Sequence, residues 1–175
     1  GHALIRKIEI PRAAHRLVIG HGAAIDHGCT LLITPSSEEN NQPPIIRLGR
    51  SVYLNRLVKI DASQQIEIGN DVMIGPYTYL TEHDHTRGSN GKPADGKLVS
   101  APTIVQAKAW IGAHVTILKG VTIGEEATVG AGAVVSKDVP EGATAVGNPA
   151  RVVRSKCSGL PKTKKETPPG NASGR

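Results

Sequence analysis

Phenylalanine is absent from this chain, tryptophan occurs once and tyrosine three times, so aromatics make up only 2% of its 175 residues. A broad core filled by rings is thereby excluded, and any interior must be built from aliphatic and small side chains. Cysteine occurs only as Cys29 and Cys157, too far apart for a zinc ribbon and too few for a disulfide framework. That usage points to a reducing compartment. No apolar run approaches the ~20 residues of a membrane span, and no signal peptide opens the chain. The expectation is a soluble cytoplasmic protein with no transmembrane segment, its initial Gly-His an expression remnant. A basic face interleaved with aromatics is also missing, which argues against a nucleic-acid partner. The formal net charge is +6, but residues 156–175 alone hold five basic residues against one acidic. That segment, rich in Lys, Pro, Gly and Ser, reads as a basic disordered tail, and residues 1–155 as a single domain.

What the chain does have is a metre. Val105, Ile111, Ile117, Ile123, Val129 and Val135 recur every six residues, in units such as IGAHVT, ILKGVT and IGEEAT. Neither the helical period nor the two-residue period of a strand produces this. A fixed six-residue repeat marks a parallel β-helix in which each hexad is one short strand plus a bend. The aliphatic should point inward, and the glycine after it should give the corner its backbone freedom. With three hexads per coil, Ile111 should lie under Val129 and Ile117 under Val135. The metre runs upstream through Ile19, Ile25 and Leu31, then Leu48, Leu54, Ile60 and Ile66, and resumes after a two-residue slip at Ile68, Ile74 and Leu80. The ALIRKIEI run near the start reads as a strand or an extra partial coil.

Two stretches break the repeat. Residues 34–44 are polar and proline-bearing, and should leave the coil as a loop. Residues 81–102, TEHDHTRGSNGKPADGKLVSAP, form a longer excursion. Long loops without their own secondary structure are uncommon and often functional, so the chemistry is expected at 81–102.

From Leu48 to Arg154, and most strongly over 104–154, the chain resembles the hexapeptide-repeat acyltransferases. The nearest likeness is to the maltose, galactoside and polysaccharide O-acetyltransferase branch. The carriers are W-I-G-A at Trp110–Ala113, then VSKDVP, then GNPARVVR. The resemblance implies an all-β, left-handed parallel β-helix, a homotrimer with active sites between subunits, and acetyl transfer from acetyl-CoA to a hydroxyl. The acceptor it implies is a sugar or a glycan precursor of the cell surface, as in polysaccharide or lipopolysaccharide biosynthesis. No metal is required.

By the same resemblance His83, just after the hexad IGPYTY, is the general base, with His85 the second choice. A sugar hydroxyl is a poor nucleophile at neutral pH, and a neutral imidazole can take its proton as the bond forms. Glu82 or Asp84 is placed to orient the ring. Asn55 takes the hexad slot that is usually Gly and is implied to bind the reacting hydroxyl, with Tyr53 beside it. Ala113, Ala131, Ser136 and Lys137 are implied to contact the pantetheine arm and adenosine end of CoA. Arg151 and Arg154 would reach its adenine or phosphates, and Trp110 would wall the thioester. Other readings on the same coil are N-acetylation of an amino sugar nucleotide, antibiotic acetylation, a γ-type carbonic anhydrase-like zinc protein using His83, His85 and His114, and a non-catalytic β-helix.

Overall fold

In the computed structural model, residues 4–6, 9–10, 14–34, 45–88 and 93–155 are described. They wind as a three-sided coil of parallel strands. The first face stacks Leu4–Ile5, Ala24–Ile25, Tyr53–Leu54, Met73–Ile74, Trp110–Ile111, Thr128–Val129 and Thr144–Val146 in that order. The second stacks Thr30–Ile33, Lys59–Ala62, Tyr79–Thr81, Thr116–Ile117 and Val134–Val135. The third stacks Leu17–Ile19, Ile45–Leu48, Gln65–Ile68, Thr103–Val105 and Thr122–Ile123. An antiparallel strand, Arg151–Arg154, pairs with Thr144–Val146 at the C-terminal end.

The six-residue metre is the core. Each of Val105, Ile111, Ile117, Ile123, Val129 and Val135 is no more than 1% exposed. Ile111 registers with Val129 and Ile117 with Val135, as the period requires. Each such side chain removed from water contributes about 1.5–3 kcal/mol. The slip between Ile66 and Ile68 is one longer strand with both side chains inward, since residues i and i+2 share a face. Ile66 pairs with Ile46, and Ile68 with Leu48 and Val105. At the other end, Leu4–Ile5 pairs with Ala24–Ile25 and Glu9 bridges Thr30, so the first residues form the expected partial coil.

The hexad glycine does something other than turn the corner. The left-handed backbone falls two residues later, and mostly on side-chain-bearing residues: Leu57, Tyr77, Lys108, His114 and Glu126 have φ between 56° and 60°. Gly112 has no such φ. A Cβ built there would lie 2.6 Å from the backbone nitrogen of Ala131 in the next coil. Glycine is required because consecutive coils approach too closely for a side chain.

The excursion is also more ordered than expected. His83–Arg87 pairs antiparallel with Pro93–Ser100, so most of the stretch 81–102 is a two-stranded ribbon springing from the edge between the second and third faces. Thr81 and Thr103 pin its base: the Thr103 hydroxyl donates to the Thr81 carbonyl at 2.9 Å, and the Ala101 N–H to the Glu82 carbonyl at 2.8 Å. Residues 35–44 of the first expected loop and the tail 156–175 lie outside the described residues.

Candidate active site

Where the second face ends, the chain turns out into the ribbon and buries Glu82 completely, with His83 almost so. Glu82 Oε1 accepts three donors: the Ser63 N–H, the Gln64 N–H at 2.9 Å, and His83 Nδ1 at 3.3 Å. Burial alone would push the Glu82 carboxyl up. The hydrogen bonds from His83, Ser63 and Gln64 outweigh it and hold the group below the usual carboxylate range. The Glu82 hydrogen bond in turn raises the His83 imidazole above its ordinary value, against the opposing effect of burial and with help from the charges of Asp61, Glu82 and Asp84. With Nδ1 committed to Glu82, Nε2 is the nitrogen left to accept a proton. Of the two acids named as orienters, Glu82 is the one that does so. Asp84 instead pairs with Lys119 at 3.1 Å.

His85 stands on the same strand two residues on, exposed, its ring edge-on to His83 at 6.4 Å between centroids. It has no carboxylate comparable to Glu82 among the described residues. His114 belongs elsewhere: its ring stacks on Tyr77 at 4.7 Å and 7°, on the edge between the first and second faces. Among the described residues no three His, Cys, Asp or Glu side chains are grouped to hold a metal.

Asn55 lies on that second edge. Its N–H donates to Ile74 O at 2.9 Å, and its own Oδ1 accepts from the Arg56 N–H at 2.7 Å. Ala113 and Ala131 stack above it on the same edge, where the Gly132 N–H reaches Ala113 O at 2.9 Å. Tyr53 and Trp110 point out of the first face and are joined by Met73, which registers with both. Met73, 49% exposed between them, had no signal in the repeat beyond its outward slot.

These coils match a known pattern. The family model for bacterial transferase hexapeptide (six repeats) matches residues 102–137. Residues 102–137 thus carry the repeat of the bacterial hexapeptide transferases. It is 35% identical over 120 residues to galactoside O-acetyltransferase of Escherichia coli, an alignment covering 65% of this chain and 59% of that one. The chain thus spans about three fifths of that curated relative's length. Among solved structures, galactoside acetyltransferase in complex with coenzyme A is similar at 31% identity and TM-score 0.68, over 81% of this chain and 66% of that one. A hexapeptide-repeat containing acetyltransferase from Vibrio cholerae complexed with acetyl coenzyme A is similar at 29% and 0.68, over 81% and 73%. The architecture is the left-handed parallel β-helix of these hexapeptide-repeat structures.

The remaining residues gather at the C-terminal end of this hexapeptide coil. Lys137 and Arg151 line one open cavity of about 220 Å³ with Asp138, Val139, Ala145, Ala150 and Val152. Ser136 adjoins Lys137 just after Val135, and Arg154 sits exposed on the closing strand opposite Thr144. The fold therefore brings Lys137 and Arg151 together, and sets Asn55 beneath Ala113 and Ala131. It leaves His83 on a different edge of the same chain.

Proposed function

We propose that this chain is an acetyl-CoA-dependent O-acetyltransferase acting on a hydroxyl of a sugar or cell-surface glycan precursor, with His83 as general base. The observation that carries the reading is the buried Glu82–His83 pair at the root of the ribbon. A carboxylate holding Nδ1–H fixes the tautomer and stabilises the imidazolium that forms when Nε2 takes a proton. Nε2 removes the acceptor hydroxyl proton as that oxygen attacks the thioester carbonyl. The tetrahedral oxyanion then collapses, the C–S bond breaks, and the proton on His83 passes to the departing CoA sulfur. In this reading Lys137 and Arg151 bind CoA phosphates, with Arg154 beside them and Ser136 at the adenosine end. Ala113 and Ala131 present a thin edge to pantetheine, and Trp110 walls the thioester.

The separation of the site residues supports assembly between copies. Asn55, with Tyr53 near it, would hold the acceptor on one edge, whereas His83 stands on another. A homotrimer in which one chain's edge meets its neighbour's would complete the site.

His83→Ala should lower turnover by at least ~10², the scale of losing a general base, while acetyl-CoA binding measured by calorimetry is unchanged. Thiol release from acetyl-CoA with sugar acceptors is the assay. Near-normal turnover in His83→Ala with loss in His85→Ala would transfer the base to His85. Normal turnover in both would end the enzymatic reading.

A further inference from the structure

The edge that carries Asn55 has a cationic lower end that acetyl transfer does not use. Arg6, Asp26, Asn55, Gly75 and Gly112 occupy the same hexad slot in successive coils, each N–H donating to the coil above. In the upper coils the slot is glycine, since a Cβ at Gly75 would lie 2.6 Å from the Ala113 nitrogen. In the three lowest coils the slot instead presents polar side chains. Arg56, directly after Asn55, sets its Nε 3.5 Å from Asp26 Oδ2, and Arg6 sets its Nε 3.9 Å from Asp26 Oδ1. Both arginine side chains are about 60% exposed, and the Asp26 carboxylate is 14% exposed. His27 completes the cluster, its Nδ1 3.5 Å from Asp26 Oδ1.

Two guanidinium groups here share one carboxylate, so a positive charge remains even with His27 neutral. Both approach Asp26 through Nε, and their terminal nitrogens have no hydrogen-bond partner among the described residues. Asp26 holds the two cations together and is itself held by the His27 N–H at 2.8 Å. A pair of guanidinium forks, gathered but incompletely neutralised, suits an anion with several acceptor oxygens, and phosphate is the best match.

We infer that the Arg6–Asp26–Arg56 cluster binds the phosphate of the acceptor, and that the acceptor is a phosphate-bearing sugar rather than a neutral glycoside. The inference rests on the reading of Asn55 as the acceptor contact. Placement along the edge gives the direction. The contacts proposed for pantetheine, Ala113 and Ala131, lie above Asn55, whereas Arg6 lies two coils below it and Arg56, next to it in its own coil, reaches down to Asp26. The reacting hydroxyl then faces the donor while the charged end extends away. A contact so remote from the bond being made contributes uniform binding, which appears in KM and not in kcat.

The test is calorimetric binding with saturating CoA present, so that the cationic contacts at Lys137 and Arg151 are occupied. UDP-galactose, galacturonic acid and methyl β-galactoside serve as probes. UDP-galactose should bind at least ~10-fold tighter than the methyl galactoside, a margin of about 1.4 kcal/mol, and the margin should shrink at high salt. Arg56→Gln and Arg6→Gln should each remove much of it. Arg56→Lys, which keeps the charge, should retain more of the margin than Arg56→Gln, a response that mere structural damage would not give. Equal affinity for UDP-galactose and methyl galactoside, tighter binding of galacturonic acid, or glutamine variants matching the parent would each overturn the inference. The two readings fail separately. Acetyl transfer to UDP-galactose with KM unchanged in Arg56→Gln sinks the phosphate site alone. Arginine-dependent binding of UDP-galactose without any acetyl transfer sinks the acetyltransferase alone.

Discussion

Replacing Glu82 by glutamine is the most informative single change at the site. Glutamine keeps an oxygen where Oε1 accepts the Ser63 and Gln64 N–H groups, but it removes the charge that faces His83 Nδ1. A hydrogen bond to a charged group contributes about 1.5–3 kcal/mol. Reducing it to a neutral bond, worth about 1–1.5 kcal/mol less, should cut kcat/KM by roughly 5- to 15-fold on the pH plateau. The sign of the pH effect is also fixed. His83 titrates above its ordinary value because of Glu82 first, and it must be neutral to act as a base. The acid limb of kcat/KM therefore lies above the ordinary histidine value in the parent and moves to lower pH in Glu82→Gln. Glu82→Ala should behave differently. It strands two backbone N–H groups in a buried corner, each at about 1–3 kcal/mol, so it should lower Tm as well as rate. A pH–rate profile by thiol release, alongside thermal unfolding of both variants, measures all three effects. A Glu82→Gln enzyme with the parent's plateau and an unmoved acid limb would show that the buried pair is structural and that His83 is not the base.

Further outcomes follow from the same geometry. Lys137→Gln and Arg151→Gln, which line one cavity, should raise KM for acetyl-CoA more than they lower kcat; unchanged acetyl-CoA kinetics in both would remove the phosphate assignment. Gly112→Ala should destabilise the coil by about 1–3 kcal/mol by overpacking, since its Cβ would meet the Ala131 nitrogen at 2.6 Å. Gly132→Ala, with open space around its Cβ, should cost only the strain of its φ of 72°; equal Tm losses for the two would contradict the close-approach account.

The sequence by itself determined the coil. A period of six is a local property, so the inward set and the register of Ile111 on Val129 could be read without coordinates. The candidate residues stood out for a related reason: His83 and Asn55 lie where the repeat is broken or its slot is altered, and the resemblance, not the metre, proposed their roles. Tertiary structure decided what no local pattern encodes. Gly112 answers to the backbone of the next coil at Ala131, 19 residues on, and not to its own φ. Glu82 and Asp84 flank the loop histidine alike in the sequence, yet the turn out of the second face buries only Glu82, against Ser63 and Gln64, nineteen and eighteen residues earlier. Arg6, Asp26 and Arg56 form one cluster only because coils of unequal length return to the same edge. Side-chain direction repeats with the metre and is written in the chain. Which side chains meet across coils depends on the length of every excursion between them, and only the closed helix sets that.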